Sequence, residues 1–133
     1  MNGLVQQVLG SLEKKHAVVI QGSSGIGKSE TMMLLKCLLE KKGKRPIYLD
    51  MRRIKDSFQF RGEILNQLGI EGTSKEKVYS ELVKGNVPLL FDEYWAGAAI
   101  ASSIVKFAYD SGNDIVAVAG SPLGMEFDEY ILK

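Results

Sequence analysis

The chain has 133 residues, the usual size of a single domain, and can bury roughly two thirds of the surface that its unfolded form exposes. Its composition is 45% hydrophobic and 25% charged, and its formal net charge is +1. This is the composition of an ordinary globular protein and gives no reason to expect a general affinity for polyanions. With no signal peptide and no apolar run near the ~18 residues of a membrane span, we expect a cytoplasmic protein with no membrane partner.

Four short apolar runs, rich in β-branched residues and bounded by turn or cap signals, predict β-strands. They span residues 17–21, 46–50, 87–92 and 114–120. Because the runs are continuously apolar, both faces of these strands should be covered, as happens in parallel sheets flanked by helices. We therefore predict one α/β domain over residues 1–133, a three-layer sandwich around a mainly parallel sheet of about four strands.

Helical patterns lie before and between these strands, at residues 4–14, 28–42, 58–68, 74–84 and 98–108. The second pattern ends at Gly43 after a basic last turn, and the fourth begins with Thr73 and Glu76 at capping-box spacing. Cys37 lies in the second pattern. It is the single cysteine, which excludes an intrachain disulfide, and we interpret it as a small core residue.

A phosphate-binding motif follows the first strand and reads Gly22-Ser23-Ser24-Gly25-Ile26-Gly27-Lys28-Ser29, which fits G-x-x-x-x-G-K-[ST] in full. Glycines let backbone N–H groups point at phosphate oxygens, and the positive end of the following helix adds to that cradle. Lys28 is expected to contact the β- and γ-phosphates and Ser29 to offer its hydroxyl to Mg²⁺, with Glu30 completing the cofactor-binding segment. The alternative is a flexible Gly/Ser turn, although the full pattern arises by chance in roughly 1 in 100 or fewer chains of this length.

Two carboxylates, Asp92 and Glu93, follow the third predicted strand, which is the Walker B arrangement of P-loop enzymes. Asp92 would hold Mg²⁺ through its water shell, and Glu93 would orient and deprotonate the water that attacks the γ-phosphate. Taken alone, such a pair is more often a solvated turn, and the P-loop upstream is what favours the catalytic interpretation. A base aimed at water favours hydrolysis over phosphoryl transfer to a second substrate.

Polar residues also follow the other predicted strands. Ser121 comes after the fourth strand, where parallel sheets present ligand-binding groups, so it is placed to sense the γ-phosphate; a simple turn explains it equally well. Asp50 ends the second strand and is followed by Arg52, Arg53 and Lys55. We interpret these charges as solvated, with a phosphate or nucleic-acid contact as the alternative.

Four segments of the chain together suggest a family: residues 21–29, 47–50, 89–94 and 118–126. They resemble the archaeal-type ATPases of the STAND branch, relatives of the AAA+ and origin-recognition ATPases. The first and third segments are typical of P-loop ATPases at large, whereas the branch rests on residues 118–126, where a Gly-Ser pair is followed by Leu-Gly-Met-Glu. The resemblance implies a switch driven by ATP and Mg²⁺, with Lys28, Glu93 and Ser121 in catalytic roles.

Members of that family order their strands 5-1-4-3-2 and continue into a lid and often a winged-helix domain. This chain is expected to stop after its fourth strand, in the order 1-4-3-2 and without a lid, which leaves the first strand at an edge. Because an uncovered apolar edge strand invites aggregation, we expect residues 127–132 or a neighbouring subunit to cover it. The helix at residues 4–14 should pack on the sheet face beside this strand.

Arginine occurs only at positions 45, 52, 53 and 61, so nothing later in the chain can be an arginine finger. Lys106 is the only basic residue on the helix where a related ATPase places its finger. We expect slow hydrolysis, because a missing finger can cost ~10³ to 10⁵ in rate.

The main hypothesis is a minimal ATPase that binds ATP and slowly hydrolyses it with Mg²⁺. The alternative is a non-hydrolysing module whose bound ATP orders a surface for a protein or DNA partner, and a homo-oligomer is compatible with both. A small-molecule kinase is disfavoured because no arginine-rich lid is present, and a GTPase because no Asn-Lys-x-Asp motif occurs. His16 is interpreted as a solvated residue, and Tyr94 and Trp95 as core or adenine-side packing.

Overall fold

Helices and strands alternate along the residues that the computed structural model describes, which are 2–22, 28–94, 97–118 and 128–132. The strands are β1 (Ala17–Gly22), β2 (Ile47–Asp50), β3 (Leu89–Asp92), β4 (Ile115–Val118) and β5 (Asp128–Leu132). The helices are α1 (Asn2–Lys15), α2 (Lys28–Lys41), α3 (Ser57–Gln67), α4 (Lys75–Lys84) and α5 (Ala98–Asp110), and a 3-10 turn (Met51–Arg53) follows β2. Over these ranges, no helix is both long and apolar enough to cross a membrane.

All strand pairs of the sheet are parallel, and the strand order is β2-β3-β4-β1-β5. The predicted order 1-4-3-2 is therefore confirmed for the first four strands. The expectation that the sheet stops at four strands is wrong, because residues 128–132 form a fifth strand. β5 pairs with β1 from Val18 opposite Asp128 to Gly22 opposite Leu132, so the prediction that the tail covers this edge is confirmed.

One face of the sheet is covered by α1 and α2. Successive strand residues point to opposite faces, so Val18 and Ile20 of β1 face these two helices. The helices contribute buried side chains at helical spacing: Val5, Val8, Leu9, Leu12, Met32, Leu35 and Leu39. The prediction that the N-terminal helix packs on the sheet face beside β1 is confirmed.

The other face is covered by α3, α4 and α5. Phe60 of α3 stacks on Phe91 of β3, with ring centroids 6.2 Å apart, and both are fully buried. The remaining helix residues of this core are Ile64, Leu65, Val78, Leu82, Ala101, Ile104, Val105 and Ala108. Burial on both faces explains why the central strands read as continuous apolar runs.

Two local expectations from the sequence are wrong. Cys37 is exposed, because α2 turns Met32, Leu35 and Leu39 toward the sheet and leaves position 37 outside that face. The N-cap of α4 is Ser74, whose hydroxyl accepts the backbone N–H of Lys77 at 3.3 Å. The helix therefore begins one residue later than the predicted capping box, in which Thr73 would be the cap.

A buried amide, Asn113, joins three elements at the amino end of β4. Its Nδ2 donates to the carbonyl of Leu82 at 2.8 Å and to that of Ala108 at 3.2 Å, and its Oδ1 accepts the N–H of Val87 at 3.0 Å. These partners lie on α4, on α5 and just before β3. One side chain thus supplies the partner of the Val87 N–H and joins the ends of two helices. The carbonyls of these helices at Leu82 and Ala108 also accept the backbone N–H groups of Gly85 and Asn113.

Replacing this amide should destabilise the fold. Asn113→Ala leaves the buried N–H of Val87 without a partner and removes the side-chain hydrogen bonds to Leu82 and Ala108, so we expect a loss of about 1–3 kcal/mol in the free energy of unfolding. Urea denaturation measures it. The control is Asn66→Ala on the exposed face of α3, which should change the free energy by less than about 0.5 kcal/mol. Equal effects of the two substitutions would contradict the assignment.

Candidate functional site

The carboxyl ends of the parallel strands meet at one edge of the sheet, which is where open α/β sheets bind ligands. Gly22 ends β1, Asp50 ends β2 and Asp92 ends β3. Asp50 and Asp92 are register partners on neighbouring strands. The topology therefore gathers at one edge the strand ends that the sequence marks with the P-loop and the carboxylates.

Lys28, Ser29 and Glu30 form the first turn of α2, whose N-terminus follows the phosphate-loop segment. Glu30 is exposed. A strand that ends at Gly22 and a helix that begins at Lys28 are the flanks that the motif requires. The loop residues 23–27 and Ser121 lie outside the described residues, so their roles stay predictions.

Asp92 is a buried carboxylate, only 2% exposed, and it accepts a hydrogen bond from the hydroxyl of Tyr48 at 2.7 Å. Tyr48 pairs with Leu90 in the β2–β3 register, so its ring reaches two residues along the neighbouring strand, about 7 Å at ~3.3 Å per residue. Burial, together with the hydrogen bond to Asp92, raises the pKa of the Tyr48 phenol well above its usual value. The hydroxyl therefore stays protonated and remains a donor.

Glu93 has a φ of +51°, in the left-handed region that non-glycine residues seldom adopt. Such a conformation costs on the order of 1–3 kcal/mol and is concentrated at active sites. The turn directs the chain out of β3 directly after Asp92. Tyr94 then packs edge-on against Phe91, with centroids 5.1 Å apart, and is only 7% exposed, which confirms the core interpretation of Tyr94. Trp95 lies outside the described residues.

Asp50 organises the basic segment that follows β2. Its carboxylate accepts the backbone N–H of Arg52 at 3.1 Å and two guanidinium hydrogen bonds from the same residue at 3.2 Å, and Arg53 lies 3.7 Å away. Burial alone would raise the pKa of Asp50, but these hydrogen bonds and charges outweigh it and hold that pKa below its usual range. Both arginines are exposed, as expected, and both pair with Asp50.

The Arg52 guanidinium lies within electrostatic range of the acidic pair. Its pKa is raised first by the hydrogen bond and charge of Asp50, and further by the charges of Glu93 and Asp92. This exposed cation therefore pairs directly with Asp50 and is stabilised at longer range by the two other carboxylates.

Two other residues considered from the sequence lie away from these groups. His16 is half exposed, and its Nδ1 lies 2.9 Å from the carboxylate of Asp114, at the amino ends of β1 and β4. These amino ends lie on the side of the sheet opposite to the carboxyl ends that form the candidate site. Lys106 of α5 is exposed and pairs with Asp110 at 3.1 Å.

The donor set at the carboxyl edge fits Mg²⁺. In phosphate sites this ion is commonly held by one or two carboxylates together with the substrate phosphates, and it prefers oxygen ligands. Asp92 supplies such an oxygen donor on a rigid strand end. Among the described residues, no group of three or more His, Cys, Asp or Glu side chains is arranged to hold a metal by itself.

Solved structures of AAA+ proteins resemble this arrangement of elements. Cdc6p from Pyrobaculum aerophilum matches with a TM-score of 0.69 and 19% identity, over 90% of this chain and 38% of that one. The structure of Drosophila ORC bound to DNA matches with a TM-score of 0.61 and 10% identity, over 98% of this chain and 28% of that one. The chain shares the fold of the matched parts of these proteins. At these identities the likeness concerns the fold alone.

A third match is the structure of Drosophila ORC bound to poly(dA/dT) DNA and Cdc6, with a TM-score of 0.56 and 13% identity. It covers 90% of this chain and 23% of that one. The chain thus spans well under half the length of each of these AAA+ proteins. No protein-family model matches the sequence, and no curated protein does either.

The backbone of Glu93 predicts an unusual order of stabilities. Glycine adopts a positive φ without strain, whereas a β-branched residue adds to the strain of a left-handed position. Glu93→Gly should therefore be more stable than Glu93→Val by about 1–2 kcal/mol in urea denaturation. At Glu71, an exposed position without a positive φ, the glycine variant should be the less stable one. If the glycine variant were the more stable one at both positions, the left-handed conformation of Glu93 would be contradicted.

Proposed function

We propose that this chain binds ATP with Mg²⁺ and hydrolyses it slowly. The observation that carries the proposal is the meeting of two motifs at one sheet edge: α2 begins at Lys28 beside β1, and β3 ends at the buried Asp92. The likeness of fold supports it, because the family that the sequence resembles uses the same elements for nucleotide binding. Asp92 and Lys28 are far apart in sequence, and the parallel sheet supports the proposal because β1 and β3 both end at its carboxyl side, with β4 between them.

In this proposal, the backbone of residues 22–27 cradles the phosphates, and the N-terminus of α2 favours their negative charge. Lys28 contacts the β- and γ-phosphates, and Ser29 and Asp92 hold Mg²⁺. Bound Mg²⁺ would neutralise charge that develops on the phosphate oxygens. Glu93 accepts the proton of the attacking water, and Ser121 contacts the γ-phosphate.

We expect slow turnover because the two cations considered for contact with the γ-phosphate, Arg52 and Lys106, are each paired with a carboxylate. An arginine that contacts the γ-phosphate is worth ~10³ to 10⁵ in rate in related NTPases. The exposed Arg52 is bound to Asp50 through two guanidinium hydrogen bonds, and Lys106 is paired with Asp110. We infer that fast hydrolysis needs a cation from a second copy or from another partner.

The branch of the family, the oligomeric state, the partner and the cellular location are also proposals. The structural likeness is to origin-recognition AAA+ proteins, whereas the STAND branch is suggested by residues 118–126 alone. A homo-oligomer, a protein or DNA partner and a cytoplasmic location are compatible with the proposed ATPase.

The alternative function is a nucleotide-dependent module that binds DNA without turnover. Phe58 is 64% exposed, and the guanidinium of Arg61 lies 4.9 Å from its ring centroid. The exposed side chains of Arg53 and Lys55 precede them. An exposed aromatic ring beside a guanidinium, with further basic residues nearby in sequence, is a surface that can stack bases and contact phosphates. ATP turnover above background favours the ATPase over this alternative.

Removal of the P-loop lysine should weaken ATP binding. Charge-assisted hydrogen bonds contribute about 1.5–3 kcal/mol each, so Lys28→Ala should lower the affinity for Mg²⁺-ATP by at least about tenfold. Isothermal titration calorimetry measures it. The control is Lys41→Ala in the last turn of the same helix, which should leave the affinity unchanged. Equal affinities of Lys28→Ala and wild type would contradict the assignment of this segment as a P-loop.

Removal of the proposed base should separate binding from turnover. Glu93→Gln keeps the shape of the side chain but cannot take a proton, so Mg²⁺-ATP affinity should persist while the release of phosphate falls by at least about 100-fold. Glu76→Gln, an exposed carboxylate of α4, is the control and should hydrolyse ATP at the wild-type rate. Turnover of Glu93→Gln at the wild-type rate would mean that Glu93 is not the base.

A further inference from the structure

We propose that Tyr48 is a positioning residue that orients the Asp92 carboxylate for Mg²⁺, and that Gln67 holds Tyr48 in place for this task. The inference rests on the proposed function of Asp92. It adds two residues outside the P-loop and the Walker B pair, one on the edge strand β2 and one at the end of α3. Neither residue needs to touch the nucleotide.

The first step is the contact between Tyr48 and Asp92. A carboxylate that is only 2% exposed must be hydrogen-bonded, because burial of an unpaired charge is costly. The Tyr48 hydroxyl donates to one carboxylate oxygen at 2.7 Å, the short distance of a hydrogen bond to an anion. A donor on one oxygen fixes the plane of the carboxylate. Orientation of a metal ligand by such an outer partner is a general feature of metal sites.

The second step is the anchoring of Tyr48. β2 is an edge strand, so on its outer side the backbone groups of Tyr48 have no neighbouring strand. The side-chain amide of Gln67 takes the place of that strand. Its Oε1 accepts the N–H of Tyr48 at 3.0 Å, and its Nε2 donates to the carbonyl of Tyr48 at 2.7 Å. Both backbone groups are thereby paired, and the position of the tyrosine is fixed along β2.

The third step is the orientation of the Gln67 amide, which makes the two hydrogen bonds to the Tyr48 backbone. Gln67 Nε2 also donates to Glu63 Oε1 at 2.7 Å, one helical turn earlier on α3. This bond limits the rotation of the Gln67 amide. A chain of hydrogen bonds therefore leads from α3 through the edge strand to Asp92, and its members other than Asp92 lie outside the P-loop and the Walker B pair.

Removal of the Tyr48 hydroxyl should reduce the gain in ATP affinity that Mg²⁺ provides. Loss of an outer partner typically lowers metal affinity by about 10- to 100-fold. In Tyr48→Phe, which lacks only the hydroxyl, the ratio of ATP affinities with and without Mg²⁺ should fall by about tenfold. The affinity without metal should stay within about twofold of wild type, since Tyr48 does not contact the phosphates. Calorimetry in Mg²⁺ and in EDTA measures both values.

A second readout follows the metal directly. With Mn²⁺ in place of Mg²⁺, electron paramagnetic resonance should report weaker binding of Mn²⁺ to the ATP-loaded Tyr48→Phe variant. The control is Tyr79→Phe, which also loses a tyrosine hydroxyl but lies on α4, with its ring packed edge-on against Phe107 at 4.4 Å. It should match wild type in both measurements.

The role of Gln67 is tested by a double-mutant cycle. Gln67→Met removes the amide at an exposed position and should weaken metal-dependent binding by a few-fold in the wild-type background. If Gln67 acts through Tyr48, the same substitution should have no further effect in the Tyr48→Phe background. If the two substitutions weaken metal-dependent binding additively, Gln67 does not act through Tyr48. Gln67→Met also carries the test if Tyr48→Phe fails to fold.

The outcomes separate this inference from the proposed function. If wild type binds ATP more tightly with Mg²⁺ and Tyr48→Phe retains the full gain, the role of Tyr48 is refuted and the proposed function stands. If wild type gains nothing from Mg²⁺, both are refuted. A loss confined to the metal-dependent part of binding supports both.

Discussion

Burial of the strands on both faces is the constraint on which the rest of the molecule depends. Side chains in the middle of β1, β3 and β4 must be apolar, because helices cover each side of the sheet. Polar groups are therefore confined to the strand ends. At the amino edge, Asn113 and Asp114 are buried and hydrogen-bonded to neighbouring elements, which stabilises the packing. At the carboxyl ends of the strands lie Gly22, which ends β1, and Asp92, which ends β3.

The first four strands could be predicted, because continuous apolar runs mark them, and their order was implied by the family that the sequence resembles. β5 was not predicted as a strand from its own pattern, since Asp128 and Glu129 open it and its apolar run, residues 130–132, is only three residues long. Only the exposed edge of β1 indicated that some segment should lie there. Cys37 was misplaced because helical spacing shows that α2 has an apolar face but does not fix which borderline residue falls outside it.

The candidate site could be predicted only as far as its motifs reach. Asp92 and Glu93 follow a strand, and local sequence shows this. Their partners are distant in sequence: Tyr48 precedes Asp92 by 44 residues, and Gln67 follows Tyr48 by 19. Such contacts arise from strand register, which local periodicity does not encode. The sharp turn at Glu93 is also hidden, because its φ of +51° falls on a residue type that gives no turn signal.

The central claim is that the edge formed by the end of β1 and the start of α2 binds the phosphates of ATP. Hydrogen–deuterium exchange of the wild-type chain, with and without saturating Mg²⁺-ATP, tests it most directly, because bound phosphates should protect the backbone N–H groups that contact them. The account predicts slower exchange for residues 22–30 and unchanged exchange for residues 111–114 at the opposite edge. Protection confined to other residues, or none at residues 22–30, would contradict it.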